Sequence, residues 1–277
     1  MRAKGGAALC WAEEMQAQSP SQPLQLWRAF PADLRDARVL AECCALLSEE
    51  EQARARRFRF DRDRCSFAAG RALARAALSQ AHTLAPREWR LITNAHGKPA
   101  AEPDCGLRFN IANSEDLAVC LLARGAEVGI DAEPFAVAAQ IAEIAPKIFS
   151  QQELAQLEAL RDAERERRAL SLWVLKEAYG KACGRGLGLP LKKFSFLFEN
   201  GGAIRLTMEP ELGDRPDRWR FTLLDCAGHR VALMVEDGLK EWNSAARGLE
   251  MWEARPPHAS GAKLEELTGL RWHEGGA

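Results

Sequence analysis

Two acidic side chains, Asp131 and Glu133, lie two residues apart in the short segment GIDAE. Side chains at positions i and i+2 of a β-strand project from the same face, so both carboxylates would lie side by side. Neighbouring carboxylates repel each other unless a cation or hydrogen-bond donors neutralise them. A set of carboxylate oxygens without sulfur or imidazole favours Mg²⁺ or Mn²⁺ over zinc. The alternative interpretation is a solvated strand end without a ligand.

The segment LWVLKEAYGKACGRG combines an apolar helical pattern with charged residues, and it belongs to a helix predicted over residues 166–183. Glu177 and Lys181 are four residues apart and share a face with Trp173, while Lys176 lies about 100° around the helix. A carboxylate beside lysines suits a Mg²⁺–phosphate site, in which acids hold the metal and lysines neutralise phosphate oxygens. The simpler interpretation is an exposed ion pair worth about 0.3 kcal/mol. The neighbouring tryptophan favours a partly buried site.

Arginines are concentrated between residues 53 and 75, in a chain whose net charge is only −1. They are either a solvated helical face or a local anion site. Arg71 is the best single candidate, because it follows small residues in AAGR, where a ligand could approach. The turn HGKP adds Lys98, which is held between Gly97 and Pro99.

The order of elements that would position these residues occurs twice along the chain. Helical patterns are followed by short strand-like runs over residues 24–126 and again over 127–240, which predicts an α+β fold of two similar lobes related by a pseudo-two-fold repeat. Each lobe would pack helices on a small, mainly antiparallel sheet. We therefore predict four segments: a flexible N-terminal extension (1–22), an N-terminal lobe (23–126), a C-terminal lobe with the acidic motifs (127–240), and a flexible tail with at most one short helix (241–277).

Composition is that of a soluble globular protein, with 277 residues, 47% hydrophobic and 28% charged. Eight cysteines form no CxxC pair, which indicates reduced thiols in a cytosolic protein. No apolar run approaches the roughly 18 residues of a membrane helix, and the N-terminus lacks the apolar core of a signal peptide. We expect a cytoplasmic protein.

Six motifs follow one another in order across roughly residues 46–195: AGRALAR, HGKP, FNIANS, VGIDAE, FSQQEL and LWVLKEAYGKACGRGLGLPL. In this order and spacing the sequence resembles the 4′-phosphopantetheinyl transferases of the broad, surfactin-synthetase-activating (Sfp-like) type. The closest matches are G-[IV]-D-x-E and W-x-x-K-E-[AS]-x-x-K. Such enzymes move the phosphopantetheine arm of coenzyme A onto a serine of an apo acyl or peptidyl carrier protein and release 3′,5′-ADP. The resemblance also implies a site between two similar lobes.

The resemblance assigns roles to the acidic and basic residues. Asp131, Glu133 and Glu177 would ligate Mg²⁺ (Mn²⁺ is an alternative) at the pyrophosphate. Lys176 and Lys181 would contact phosphates and stabilise the charge that builds up during transfer. Glu177, directly or through a water on the metal, is the leading general base for the carrier serine.

Coenzyme A itself would be held by residues of both lobes. Besides Lys176 and Lys181, the resemblance implies Arg71, Lys98, Pro99, Asn113 and Ser114. Two positions depart from the family pattern. Asn113 stands where the family often has a histidine that meets a phosphate, and Ser66 stands where an arginine commonly precedes the aromatic residue. Asn113 can donate a hydrogen bond but carries no charge.

These departures leave a second hypothesis open, a non-catalytic relative that binds coenzyme A or a carrier protein. A third hypothesis, a nucleic-acid-binding module built on the arginine-rich helix, is disfavoured because the chain is not basic overall. The expected partners are coenzyme A and an apo carrier protein, with no nucleic acid and no membrane, and the expected state is a monomer.

Overall fold

The computed structural model describes residues 24–237, 249–254, 261–267 and 273–274, which form a mixed α+β fold. Two main sheets, of five and four strands, account for most of the strands, and two hairpins account for the rest. A long helix packs on the outer face of each main sheet. The predicted fold class is therefore confirmed.

The first lobe contains three helices followed by a strand meander. Its elements are β1 (Leu24–Ala29), α1 (Ala37–Cys44), α2 (Glu49–Ala55), α3 (Asp61–Gln80), β2 (Arg90–Thr93), β3 (Pro99–Glu102), β4 (Leu107–Asn113) and β5 (Ala118–Arg124). Strands β1, β5 and β4 are antiparallel neighbours in the five-stranded sheet, and β2 and β3 form a separate hairpin. Strand β3 was not predicted from the sequence; it begins at Pro99, the last residue of HGKP.

The second lobe repeats that order. Its elements are β6 (Val128–Pro134), α4 (Ala138–Ile148), α5 (Gln151–Glu158), α6 (Asp162–Ala182), β7 (Phe194–Phe198), β8 (Ile204–Met208), β9 (Trp219–Cys226) and β10 (His229–Glu236). Strands β9, β10 and β6 are antiparallel neighbours in the four-stranded sheet, and β7 pairs with β8.

Helix starts follow from local chemistry. Ser48 and Ser150 each accept a hydrogen bond from the backbone N–H three residues ahead, and Glu51 and Glu153 bond back to the backbone of those serines. These reciprocal bonds satisfy donors that the first turn of a helix leaves without a partner. The Ser-x-x-Glu spacing typical of a capping box is visible in the sequence at both places, residues 48–51 and 150–153.

The two main sheets pack face to face through one apolar layer. Alternate residues of β6 (Val128, Ile130 and Ala132) lie in that layer together with residues of β1, β5 and β10. The strand period of two therefore turns the intervening residues, Asp131 and Glu133 among them, toward α6 on the other side. The apolar side chains of β6 are thus buried between the sheets, and its acidic side chains face the helix.

Helix α6 lies very close to β6 at Gly129. A Cβ atom added there would be 2.0 Å from the carbonyl oxygen of Ala178 and 2.5 Å from the backbone nitrogen of Ala182. Only glycine leaves room for the helix backbone at that distance. On the neighbouring side, the buried Oδ1 of Asn110 accepts a hydrogen bond of 3.0 Å from the backbone N–H of Ile130 and ties β4 to β6.

Part of the segment predicted to be a flexible tail is ordered as strand. Residues Leu249–Ala254 form β11, which runs parallel to β1, and Gly261–Leu267 form β12, which is antiparallel to β11. The prediction of a tail with at most one helix is wrong there, because alternate residues such as Leu249 are buried in the layer between the sheets. Trp252 stacks on Trp27 with ring centroids 5.0 Å apart. A two-residue strand, β13 (His273–Glu274), pairs with β9.

The remaining expectations concern the segment boundaries, the cysteines and membrane-spanning helices. The N-terminal extension (1–22) lies outside the described residues, and the lobe boundaries remain a prediction. Seven cysteines in the described part of the chain are free thiols. None of the helices described combines the length and the apolar character that crossing a lipid bilayer requires.

The contact at Gly129 gives a stability prediction. We expect Gly129→Ala to lower the free energy of unfolding by about 2 kcal/mol or more, because the added methyl group meets the backbone of α6. Gly188→Ala is the matched control, since a Cβ there meets nothing within 4 Å. Urea denaturation of the wild type and both variants measures the difference, and an equal midpoint for Gly129→Ala would contradict the close contact.

Candidate active site

The two acidic residues of β6 lie beneath α6 in different surroundings. Asp131 is 5% exposed, and its Oδ1 accepts a hydrogen bond of 2.6 Å from Lys181 Nζ. Its second oxygen, Oδ2, is buried and has no hydrogen-bond partner among the described residues. Glu133 Oε1 accepts a bond of 3.4 Å from the indole N–H of Trp173. Strand β6 and helix α6 thus bring Asp131, Glu133 and Lys181 to one place.

Glu177 completes a group of three interacting carboxylates. Burial raises the pKa of Glu177 to about 7, and repulsion from Asp131 and Glu133 adds to the effect of burial, while Lys181 opposes it. Burial also raises the pKa of Glu133, again with a contribution from Asp131. The three carboxylates are therefore close enough to repel one another, and a single lysine opposes them.

The arrangement is not that of a closed metal cage. Within the described ranges, no group of three or more His, Cys, Asp or Glu side chains is placed so that it could hold a metal ion. Lys181 instead occupies one oxygen of Asp131. The buried second oxygen of Asp131 is the feature that fits a cation, because a buried carboxylate oxygen without a donor is costly.

Lys176 does not belong to this group, which corrects its predicted roles in catalysis and coenzyme A binding. It is fully buried, and its Nζ donates bonds of 2.6 Å to the carbonyl oxygens of Leu191 and Phe194. It also forms an ion pair of 2.9 Å with Glu153 Oε2. Successive helix residues point about 100° apart, so Lys176 faces the interior of the second lobe while Glu177 faces β6.

Glu153, the partner of Lys176, is likewise held by contacts inside the second lobe. Glu153 is fully buried, and its two oxygens also accept bonds of 2.9 Å from the backbone N–H groups of Ser150 and Phe196. Lys176 and Glu153 therefore form a buried, hydrogen-bonded pair that joins α5, α6 and β7. A phosphate has no access to this lysine.

The HGKP turn joins the two lobes. Lys98 Nζ bonds to Glu127 Oε2 at 2.6 Å and to the carbonyl oxygen of Ala182, in the last turn of α6, at 2.8 Å. Asn94 Nδ2 adds a bond of 2.9 Å to the carbonyl oxygen of Gly184. A cation at the C-terminal end of a helix interacts favourably with its free carbonyls. The side chain of Lys98 is therefore used in joining the lobes.

A cavity of about 550 Å³ lies beside this turn and is walled by both lobes. Its polar lining includes Lys98, Arg108, Arg185 and Asp214, and Pro99 lies in the wall. Arg108 is paired with Asp104 at 2.9 Å. The cavity thus contains two of the predicted coenzyme A residues, Lys98 and Pro99.

Arg71 lies on α3, and its contacts are within the first lobe. Its Nε is 3.6 Å from Glu51 Oε1, and its guanidinium carbon lies 5.5 Å from the ring centre of Phe67. Its Nη1 is buried and, in the part of the chain described, lacks a hydrogen-bond partner. A buried guanidinium nitrogen without an acceptor suits an anionic ligand.

The predicted residues Asn113 and Ser114 end β4. Asn113 is exposed, and its amide lies against Gly70, where an added Cβ atom would be 2.4 Å from Oδ1. Ser114 Oγ lies 2.7 Å from Nε2 of His229, a buried histidine of the second lobe. His229 could not be identified from the sequence, since it is a single histidine at the start of a strand-like run with no motif around it.

Two family models match the chain and together account for both lobes. A model described as 4′-phosphopantetheinyl transferase superfamily matches residues 127–234. A model described as 4′-phosphopantetheinyl transferase, N-terminal, matches residues 34–124. The boundary between the matches coincides with the start of β6.

Curated relatives agree with these matches. The chain is 32% identical over 170 residues to the 4′-phosphopantetheinyl transferase HetI of Nostoc sp., covering 60% of this chain and 71% of the relative. It is 30% identical over 230 residues to a phosphopantetheinyl transferase of Thraustochytrium sp., covering 78% of each. It is 29% identical to the 4′-phosphopantetheinyl transferase Sfp of Bacillus subtilis, covering 59% of this chain and 72% of the relative.

Among solved structures, the chain is similar to the holo-[acyl-carrier-protein] synthase of Thermotoga maritima. The two are 23% identical with a TM-score of 0.34, over 47% of this chain and 69% of that chain.

The buried Lys176–Glu153 pair gives a second stability prediction. We expect Lys176→Met to cost about 3–5 kcal/mol of unfolding free energy, because it leaves a buried carboxylate without its cation. The double variant Lys176→Met/Glu153→Gln should lose less than the sum of the two single changes. Urea denaturation measures all four proteins, and an unchanged midpoint for Lys176→Met would return this lysine to a ligand-contacting role.

Proposed function

Because this chain belongs to the 4′-phosphopantetheinyl transferase superfamily, we propose that it transfers the 4′-phosphopantetheine group of coenzyme A to a serine of an apo carrier protein. The serine oxygen attacks the phosphorus atom that bears the pantetheine arm. The bond from that phosphorus to the bridging oxygen breaks, and 3′,5′-ADP leaves. The serine proton passes to a base on the enzyme.

The observation that carries the proposal is the grouping of Asp131, Glu133 and Glu177 around Lys181. These four residues come from two motifs more than 40 residues apart in the chain, and the close contact of α6 with β6 brings them together. Glu177 is the base that we assign to the carrier serine, because it adjoins the other acids and no ion pair occupies it among the described contacts. Lys181 is the residue that we assign to the phosphate oxygens.

The described residues contain no ready-made metal site, so we infer that Asp131, Glu133 and Glu177 turn their carboxylates toward Mg²⁺, with Mn²⁺ as the alternative, when the ion binds. The buried Oδ2 of Asp131 fits a cation, and carboxylate oxygens are the ligands that Mg²⁺ prefers. A bound Mg²⁺ would supply positive charge at the pyrophosphate during transfer. Asp131 and Glu133 lie on the same face of β6, toward α6, so their side chains can turn to one ion.

We assign the nucleotide end of coenzyme A to the surface between the lobes. The support comes from two places: the cavity beside Lys98 and Pro99, and the buried Nη1 of Arg71, which has no acceptor among the described residues and lies outside the lining of that cavity. Pro99 offers backbone and ring surface, while the Lys98 side chain keeps the lobes together. Asn113, whose amide lies against Gly70 next to Arg71, can donate a hydrogen bond to the ligand without adding charge.

The second substrate is an acyl or peptidyl carrier protein, and the place of action is the cytoplasm. The protein acts as a monomer in this proposal, because the groups assigned to the reaction all belong to one chain. Fatty-acid, polyketide and nonribosomal-peptide carriers share the serine hydroxyl that the reaction needs.

The transfer activity is tested with purified protein, coenzyme A, Mg²⁺ and apo carrier proteins from the same genome. We expect the carrier to gain the mass of phosphopantetheine. Glu177→Gln, Asp131→Asn and Lys181→Met should each reduce the rate at least about 100-fold, since each removes a group that acts on the reacting atoms. Glu164→Gln, an exposed change on the same helix, is the matched control.

Two outcomes would contradict the proposal. One is that no carrier is modified, although a known transferase modifies the same carriers. The other is calorimetric binding of coenzyme A without transfer, which would make the chain a binding module.

The metal assignment has a test that does not depend on activity. Mg²⁺ should raise the thermal midpoint of the wild type on the order of 5 °C at a hundredfold excess over its Kd, because it binds the folded acids. Asp131→Asn should lose most of that shift. Sodium chloride at equal ionic strength is the control for screening of the carboxylates. An equal shift in the variant would mean that the cation binds elsewhere.

A further inference from the structure

His229 begins β10 and is only 3% exposed, so its ring is held by the protein on all sides. Its Nδ1 lies 2.8 Å from the carbonyl oxygen of Ala227. A carbonyl oxygen accepts and never donates, so Nδ1 carries the proton of this bond. In the neutral ring Nε2 is then an acceptor, and it lies 2.7 Å from the hydroxyl oxygen of Ser114.

Each polar group of Ser114 forms a hydrogen bond within the protein. Its backbone N–H donates to the carbonyl oxygen of Leu117 at 2.8 Å, and its own carbonyl accepts from Ser66 Oγ at 2.8 Å. Its hydroxyl oxygen accepts from the backbone N–H of Leu117 at 3.1 Å. The hydroxyl donates to Nε2 of His229 at 2.7 Å, a shorter contact than the 3.2 Å to the carbonyl oxygen of Leu117. These contacts hold the half-buried side chain of Ser114 in place, and its role in coenzyme A binding stays a prediction.

On the first lobe, this network reaches the predicted coenzyme A residues. Asn113 precedes Ser114, and its amide lies against Gly70, the residue before Arg71. Ser66, which bonds to Ser114, lies on the same helix, α3. A shift of Ser114 would therefore move Asn113 relative to Arg71.

On the second lobe, the network reaches the end of the acidic strand. His229 is the register partner of Pro134, and the next pair joins Arg230 with Glu133. The carbonyl oxygen of Gly228 also accepts a bond of 3.1 Å from the N–H of Phe135. The turn that carries His229 is thereby fastened to the residues that follow Glu133.

We propose that the hydrogen bond between Ser114 and His229 is a positioning contact that fixes the distance between the Asn113–Arg71 surface and the acidic group on β6. This inference rests on the proposed function, in which coenzyme A spans these two places. One ligand that must meet both surfaces loses affinity when the spacing between them is free to vary. His229 is then a positioning residue for coenzyme A, because its described side-chain bonds go to Ser114 and to the carbonyl oxygen of Ala227 and not to the three acids.

The test is a double-mutant cycle on the full-length protein with the carrier assay. Ser114→Ala and His229→Phe should each raise the KM for coenzyme A roughly three- to tenfold, the effect of one lost hydrogen bond, with kcat changed less than about twofold. The double variant should resemble either single variant, because both changes remove the same bond. His229→Gln, which keeps a polar group at this position, should restore part of the affinity.

Ser79→Ala is the matched control for loss of a hydroxyl. Ser79 Oγ accepts a bond of 3.0 Å from Trp89 Nε1 inside the first lobe, away from both surfaces, and its loss should leave the KM for coenzyme A unchanged. If His229→Phe does not fold, Ser114→Ala and His229→Gln still test the contact.

The outcomes separate this inference from the proposed function. A wild type that modifies no carrier contradicts the proposed function. An active wild type in which Ser114→Ala keeps its KM for coenzyme A, or in which the two changes act additively, overturns the positioning role. A loss confined to kcat would also overturn it, since that result places Ser114 or His229 in the chemical step.

Discussion

The close contact between α6 and β6 at Gly129 is the constraint on which the site depends. A helix normally stands off a strand by the thickness of the side chains between them, and glycine removes that thickness at one point. Lys181 can then reach Asp131 at 2.6 Å, and Glu177 approaches the two acids of the strand closely enough to be repelled by them. The three carboxylates repel one another, and the apolar packing of α6 and β6 in the core opposes their separation.

The face-to-face sheets explain why the acidic strand can be both buried and functional. One side of β6 belongs to the apolar layer that holds the lobes together, and the other carries the charges. Contacts at both ends of that strand support the arrangement. Lys98 bonds to Glu127 and to the end of α6 on one side, and His229 bonds to Ser114 on the other. The relative position of the lobes is therefore fixed by polar contacts at the margins and by apolar packing at the centre.

Much of this could be predicted from local patterns, and three of the failures share one cause. The strand period placed Asp131 and Glu133 on one face, helix spacing placed Glu177 with Lys181, and capping boxes gave two helix starts. Lys176 was assigned to the phosphates because a lysine in a motif next to a glutamate looks functional, whereas its burial depends on Glu153 from a different helix. His229 and β11 were missed for the same reason, since their partners lie far away in sequence. Patterns within about twenty residues show which face a side chain occupies, and they do not show what lies opposite it.

The parallel pairing of β11 with β1 makes the first lobe depend on a strand that is synthesised after the second lobe. On the ribosome, β1 emerges among the first residues described, yet the strand that covers its outer edge is translated only after the entire second lobe. Until then β1 keeps an open edge, and Trp27 lacks the ring of Trp252 that stacks on it. Domains usually fold in the order in which they are made. Here the first lobe is synthesised first, but its sheet gains β11 only after the second lobe has been translated.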